Sequence, residues 1–296
     1  MATAAIFIGD THAGSMFGLW HPGARSDAEG GKRTLDPYQQ YLWECWQHAI
    51  TVWLPGEIGN AHRVGLLSGD MVDGVNGKLD TFTDDEMLQV DGACAAISIL
   101  SVESWRAVSG TVFHAGKSAK WDNAVAAKLG AVPDARGRYA QWQLFIDLEG
   151  VTIDLAHHIG GSYVQSSQAT PLTREYNDAG MSVYEGDWPK AEWIVRGHSH
   201  RYRTIPYRAA TVISLPGWQA KTPVAHRISR AAPFDIGMFV LVCDDGKGTP
   251  LVKLYRWPSP KQEVVRWNTK NPNPSSAMLT GLVSSMQKKL RCVTGH

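Results

Sequence analysis

Short apolar runs closed by glycine and a polar residue recur along this chain. AAIFIGD (Ala4–Asp10) and VGLLSGD (Val64–Asp70) are too short for helices and read as buried strands, and AEWIVRGHSH (Ala191–His200) is a third run of the same kind. Between the first two, a Gly-rich polar stretch from Ala13 to Lys32 gives way to a different period. Behind Pro37, residues Tyr38, Leu42, Cys45, Ile50 and Trp53 recur every three to five positions, as on one face of a helix. Thr83-Asp84-Asp85-Glu86 has the pattern of a capping box, and Met87, Val90, Cys94, Ile97 and Leu100 carry the helix towards Ala107. A short strand is expected just before Ser109, and a further helix from Ser118 to near Gly130. Tyr139–His158 reads as two strands joined by a turn at Glu149-Gly150. Gly160 to Lys190 reads as loop with a short helix begun by Thr170-Pro171, and strand-like runs follow at Ala210–Leu215, Gly237–Cys243 and Leu251–Trp257.

The order β, α, β, α, β, α, ββ and then mostly β, without internal repeats, predicts one α/β sandwich with polar residues gathered at its strand ends. The expected domain runs over residues 1–258, with an insertion at 13–63. From 259 to 296 the composition turns to NPNPSS and a basic end, read as a tail with a short helix over 276–290.

Composition narrows the class. In 296 residues, 44% hydrophobic and 19% charged content fits a soluble globular protein and excludes an intrinsically disordered one. A net charge of +1 gives no overall field to recruit polyanions. Cys45, Cys94, Cys243 and Cys292 form no CxxC pair, which points to a reduced, cytoplasmic protein. No apolar run approaches the roughly 20 residues that span a bilayer, and MATAAIFIGD lacks the basic and long apolar regions of a signal peptide.

The chemistry lies at four strand ends: Asp10 and His12 in GDTH, Asp70 and Asp73 in SGDMVDG, His157 and His158 in LAHHIGG, and His198 and His200 in RGHSH. Carboxylate and imidazole together suit borderline divalent metals. In an extended segment residues i and i+2 share a face, so Asp10 with His12, and His198 with His200, can each aim two ligands at one point. A lone DxH or HxH is ordinary turn chemistry. Four such ends in one chain are not.

GDTH, GDMVD and GHSH, in this order over roughly residues 5 to 215, resemble the calcineurin-like metallophosphoesterase superfamily, whose blocks read DxH, GDxxD, GNH[DE], a lone His and GHxH. The resemblance implies a four-layer αββα sandwich with a two-metal site at the strand ends. It implies that Asp10, His12 and His200 hold one metal, that Asp70 bridges to a second, and that His157 and His198 hold the second, with His158 as the alternate to His157. Asp73 matches the last Asp of GDxxD, a supporting position. The implied reaction is hydrolysis of a phosphomonoester or phosphodiester by in-line attack of a hydroxide shared between the metals. Manganese is the first choice of ion, with iron, zinc, nickel and cobalt compatible with the same ligands.

The third block departs from the pattern. Gly110 is followed by Thr111 where the family has asparagine, and His114 stands two positions later than the catalytic histidine would. Three placements are open. Thr111 replaces Asn as a weak or water-mediated ligand while a longer turn returns His114 to the catalytic place; His114 takes the vacant ligand position; or His114 is an ordinary loop histidine and the second metal is poorly held. Asn123, inside a helix, is a poor substitute. This compact GTxxH form is similar to metallophosphoesterases of bacteriophage genomes, which would place the protein in a host cytoplasm.

The expected partner is a phosphate-ester substrate, with nucleotides and nucleic acid included and no membrane. His21, Arg25, Lys32 and Arg33 in the stretch after GDTH are candidate phosphate contacts, as are Arg174 and Tyr176 further on; a solvated loop accounts for the same residues. Trp20 offers a stacking surface for a base, or a core side chain. The tail carries six Lys/Arg against one Glu, which suits either solvent or a polyanion. Within the family resemblance a nuclease is the alternative activity. A catalytically silent binding or scaffold protein that keeps the fold is the alternative of another class.

Overall fold

The computed structural model describes residues 2–75, 81–160, 167–228 and 234–256. The strands and helices in chain order are β1 (Thr3–Ile8), α1 (Pro37–His48), α2 (Leu54–Ile58), β2 (His62–Leu67), α3 (Glu86–Ile97), β3 (Ser104–Val108), α4 (Val112–Ala115), α5 (Lys120–Lys128), β4 (Ala140–Gln141), β5 (Gln143–Leu148), β6 (Val151–Ala156), α6 (Thr170–Glu185), β7 (Trp193–Arg196), β8 (Arg203–Pro206), β9 (Thr211–Ser214), α7 (Pro223–Ile228), β10 (Ile236–Asp244) and β11 (Lys247–Tyr255).

All six residues of β1 are buried, and their alternation divides them between two faces. Ala5 and Phe7 join Val64 and Leu66 of β2, and Phe239 and Leu241 of β10, in a core completed from the other side by Val151, Ile153 and Leu155 of β6 and Trp193 and Val195 of β7. That core is the seam between two sheets. The first has the order β11-β10-β1-β2-β3-β4 and the second β5-β6-β7-β9-β8. Helices α1 and α5 pack on the first sheet, against β10 and β3, and α6 packs on the second, against β9. Leu172 and Ala179 of α6 meet Ile194 and Val212 there. The layers are therefore helix, sheet, sheet, helix.

The central strands β1, β2 and β3 run parallel, as do β6, β7 and β9. Parallel neighbours open their carboxyl ends on one edge, which collects the loops that follow them. The tight turns lie elsewhere. Glu149 (φ 52°) and Gly150 (φ 81°) join β5 to β6, and Asp245 (φ 47°) and Gly246 (φ 72°) join β10 to β11. Two successive positive φ values are what a type I′ hairpin demands.

Several expectations are corrected. Residues 13–63, expected as an insertion, contain the crossover from β1 to its parallel neighbour β2, with α1 packed on the sheet. Trp46 of α1 donates its indole N–H to the Ala96 carbonyl at 3.0 Å and stands edge-on to Trp218. The helix at 83–107 is shorter at both ends. Asp85, not Thr83, is its cap, accepting hydrogen bonds from the Met87 and Leu88 amides, and it stops at Ile97 so that β3 can form. The helix at Thr170 runs for 16 residues and fills most of a stretch read as loop, and β8 went unread. Trp20 is a core residue, fully buried and edge-on to Phe82. The compact unit closes at Tyr255, and the basic tail with the helix expected over 276–290 lies outside the described residues. Cys45, Cys94 and Cys243 are buried free thiols. Among the described residues no helix is long and apolar enough to cross a membrane.

Candidate metal centre

The loops leaving β1, β2, β3, β6 and β7 meet at the carboxyl edge of the two sheets. The first two are bound to each other by main-chain hydrogen bonds, Asp10 N–H to the Gly69 carbonyl at 3.0 Å and His12 N–H to the Asp70 carbonyl at 3.2 Å. Among the described residues nine non-glycine residues have positive φ, and five of them are Asp10, His12, Asp70, His198 and His200. Side-chain residues occupy that region at a cost and persist in it where the surroundings over-determine them. Here the strain turns successive carboxylates and imidazoles towards one volume. Gly110 belongs to the same arrangement, because a Cβ on it would overlap Asp70 Oδ1.

Among the described residues three groups of ligand atoms result. Asp10, His12 and His200 form the first and Asp70, His157 and His198 the second, while His12, Asp73 and His114 form a third that shares the His12 ring with the first. In the first, His12 Nε2 and His200 Nε2 face each other at 3.3 Å, with Asp10 Oδ1 at 3.9 and 3.1 Å from them. One proton between two ring nitrogens can serve only one of these contacts; a divalent cation would serve all three. Asp10 Oδ1 is buried and makes no hydrogen bond. In the second group His157 Nε2 lies 3.1 Å from Asp70 Oδ2, near enough for charge attraction but off the line of a hydrogen bond. A buried polar atom without a hydrogen bond is costly, and coordination is a common relief. The residues present therefore fit a pair of divalent cations.

Two of the four ligand rings are aimed from behind, and His200 Nδ1 is buried without a hydrogen bond. His12 Nδ1 faces the Asp73 carboxylate at 3.2 Å, and His157 Nδ1 donates to the Ser68 carbonyl at 2.7 Å, contacts that leave Nε2 of both rings for an ion. The Asp10 carboxylate accepts the His198 main-chain N–H at 3.1 Å. His157 is the buried member of the doublet and His158 the exposed one, stacked obliquely on the His198 ring at 5.0 Å. Asp73 is fully buried but sits behind His12, as a support would.

Thr111 follows directly after Gly110 and reaches the same carboxylate. Its amide donates to Asp70 Oδ1 at 2.7 Å, and its hydroxyl lies 3.2 and 3.1 Å from the two Asp70 oxygens. The two extra residues of the third block are taken up by α4, which begins directly after Thr111 and carries His114 on its last turn. His114 Nδ1 donates to the Asp73 main-chain carbonyl at 2.7 Å, and its ring stands edge-on to His12 at 4.3 Å. It lines a cleft of about 300 Å³ that opens over Asp70, His12, His198 and His200, with Phe113, Phe234, Arg201, Gln168 and Gln219 on its walls. Asn123 faces away, accepting the Tyr139 and Ala140 amides.

The charges are arranged for coordination. Burial pushes the Asp10 carboxyl up, but the His200 and His157 charges outweigh it and hold the group at about 2. Asp70 is likewise held below the carboxylate range, with His157 overcoming burial. Burial, with neighbouring His114 and His200, keeps His12 well below its usual value, and burial with His157 brings His198 to about 4. His157 is the exception: the charge of Asp70 overrides burial and raises it to about 10. Asp73 is pushed up to about 8 by burial and by Asp70.

One site residue escaped the sequence reading. Asp122, in the first turn of α5 and 1% exposed, accepts the Gly110 amide at 2.6 Å and the Asp70 amide at 3.3 Å on one oxygen and the Met71 amide at 3.1 Å on the other. It fastens the second loop to the third. Burial and Asp70 raise it to about 6. An acid in a helix's first turn looks like ordinary dipole compensation, so its spacing carries no signal.

None of the residues expected as phosphate contacts lines the cleft. Arg25 pairs with Asp91 at 3.1 Å, Arg33 hydrogen-bonds Gln39 and lies over the Phe82 ring, and Lys32 is an exposed bridge partner of Arg25. His21 Nδ1 accepts the Gly23 amide, Arg174 is exposed on α6, and Tyr176 stacks on Tyr207 at 4.0 Å. Arg201 and Arg203 are the cleft's arginines instead, with Arg203 3.4 Å from the Asp235 carboxylate.

No protein-family model matches the chain, and no curated protein does. Among solved structures it is similar to vacuolar protein sorting 29 from Cryptosporidium parvum, at 11% identity over 86% of this chain and 98% of that one, with a TM-score of 0.41. An archaeal phosphodiesterase matches at 9% identity over 84% and 99%, with a TM-score of 0.40. A predicted phosphoesterase from Streptococcus pneumoniae matches at 10% identity over 86% and 90%, with a TM-score of 0.36. At TM-scores this low the likeness adds nothing to the reading of the site.

Proposed function

We propose that the chain is a binuclear metal-dependent phosphoesterase of the calcineurin-like type, hydrolysing a phosphomonoester or phosphodiester. The observation that carries this reading is the pair of adjacent Asp/His groups, one built on Asp10, His12 and His200 and the other on Asp70, His157 and His198, of which His12, Asp70, His198 and His200 line an open cleft. Two divalent ions bound there supply a water of lowered pKa and a clamp on phosphoryl oxygens. The protein's part is orientation and proton handling. Asp73 fixes the His12 ring through Nδ1, and Ser68 fixes His157 in the same way. With His114 Nδ1 committed to the Asp73 carbonyl, Nε2 is the atom left to give a proton to a leaving oxygen, worth roughly 10²–10⁴-fold. No serine or cysteine nucleophile is needed.

Assay of p-nitrophenyl phosphate and bis-p-nitrophenyl phosphate with added Mn²⁺, beside metal analysis of the same preparation, tests the reading. Metal-dependent release of nitrophenol from one or both is expected, lost in Asp70→Asn. Two bound ions with no turnover of these or of single-stranded DNA would sink the hydrolase and leave a metal-stiffened binding protein.

A further inference from the structure

Aromatic rings meet one after another through the centre of the site and end in a phenyl on either side. Phe113 stands edge-on to His114 at 4.9 Å between centroids, and His114 edge-on to His12 at 4.3 Å. His12 is tilted against His200 at 5.1 Å, and His200 against Phe234 at 4.6 Å. Both phenyls line the cleft, and Phe113 is 44% exposed, so much of its ring is left to water or to a ligand. Each is fastened to a loop that carries ligand groups. Phe113 precedes His114 on α4, whose Nδ1 donates to the Asp73 carbonyl at 2.7 Å. Phe234 precedes Asp235, whose main-chain N–H donates to the His200 carbonyl at 2.8 Å and whose carboxylate accepts the Tyr202 amide at 2.9 Å.

The order of the rings gives the site a direction. With His114 giving a proton to the leaving oxygen, the group that departs lies at the Phe113 end. Phe234, beyond His200, then faces the group that stays on phosphorus. A monoester has one organic group and would leave the Phe234 end facing water, whereas a diester covers both ends. We infer that the substrate is a small phosphodiester with a flat ring on each ester group, Phe113 receiving the ring that leaves and Phe234 the ring that stays. This rests on the phosphoesterase reading above. A cleft of about 300 Å³ is at the small end of sites for organic ligands, and Ile159, Leu172 and Val224 add aliphatic surface to its walls. A ring stacked on an aromatic side chain contributes about 5–150-fold in affinity.

Esters that all expel p-nitrophenol separate the two ends: p-nitrophenyl phosphate, p-nitrophenyl methyl phosphate, bis-p-nitrophenyl phosphate and the p-nitrophenyl ester of thymidine 5′-phosphate. With Mn²⁺ added, Phe234→Ala should lower kcat/KM about 5–150-fold for the last two, which retain a ring, and by much less for the first two. Phe113→Ala should lower kcat/KM for every ester by a similar factor, and Phe113→Trp, which keeps a ring, should restore it. Calorimetric titration of the metal-stripped full chain reads the same contacts without turnover. The bis ester should bind about 5–150-fold more tightly than the methyl ester, an advantage lost in either alanine variant. Thermal melting checks that each variant is folded. Equal losses on the methyl and bis esters in Phe234→Ala, or rates unmoved in both alanine variants, would overturn the inference and leave the phosphoesterase reading standing. Wild-type protein that turns over none of these esters would overturn both.

Discussion

Asp73 holds His114 by its main chain and His12 by its side chain. The carbonyl accepts from His114 Nδ1 at 2.7 Å, and the carboxylate faces His12 Nδ1 at 3.2 Å, with His114 Nδ1 farther from it at 3.6 Å. The two histidines can therefore be separated by mutation. Asp73→Ala keeps the carbonyl and should leave His114 seated while freeing the His12 ring, lowering metal affinity about 10–100-fold. His114→Ala should lower kcat about 10²–10⁴-fold with metal content close to two equivalents. Metal analysis beside kcat for both variants checks this, and loss of an ion from His114→Ala would make that residue a ligand.

Asp122 reaches the site through the main chain: the Asp70, Met71 and Gly110 amides all depend on it. Asp122→Ala strands those N–H groups, each at about 1–3 kcal/mol where water cannot reach. Both the melting temperature and metal affinity should fall. Asp122→Asn keeps one acceptor oxygen and should lie between wild type and alanine in melting temperature.

Metal uptake should be proton-coupled. With His157 raised to about 10 by Asp70, its imidazole carries a proton through neutral pH that an ion at Nε2 must displace. Protonated His157 competes with the cation, so affinity should rise with pH up to about 10, by as much as tenfold per pH unit for one proton released. Proton release on adding MnCl₂ to weakly buffered protein, followed with an indicator dye, gives the count. A pH-independent affinity between pH 6 and 9 would exclude His157 as a ligand.

Beneath the second sheet's outer layer Arg196 is buried, its guanidinium 2.7 Å from Asp154 and 2.7 Å from Glu175. Removing the cation leaves Asp154, itself fully buried, without its counter-charge. Breaking such a pair costs about 3–5 kcal/mol. Arg196→Ala should show that loss in denaturant unfolding, and Arg196→Met with Asp154→Leu should recover most of it.

What the sequence made legible was whatever repeats locally. Strands of alternating or continuous apolar residues closed by Gly-Asp or Gly-His announced β1, β2 and β7 together with their ligands, because strand, turn and metal-binding atom follow within a few residues. Distance along the chain hid the rest. Asp122 acts across 12 residues on Gly110 and about 50 on Asp70 and Met71, and no period connects them. In the 13–63 segment the opening stretch is polar and Gly-rich and carries no sign of the sheet contact, which α1 makes further on. The end of α3 was misread because Leu100 keeps the helical period after the helix has stopped: it is buried in the turn that leads to β3, and burial alone does not distinguish the two. Arg25, Lys32 and Arg33 are close in sequence to His12, yet Arg25 pairs with Asp91 and Arg33 with Gln39, and Lys32 is exposed.

The six principal ligand groups are divided evenly between the sheets: Asp10, His12 and Asp70 stand on loops of the first, His157, His198 and His200 on loops of the second. Ions gripped by both sets would act as rivets through the sandwich, resisting the sliding or parting of one sheet from the other. Unfolding would then have to extract the ions or carry away half of their ligands. Selection for a durable fold and selection for hydrolysis would thus guard the same six side chains, and a descendant that gave up turnover would still have mechanical reason to keep them.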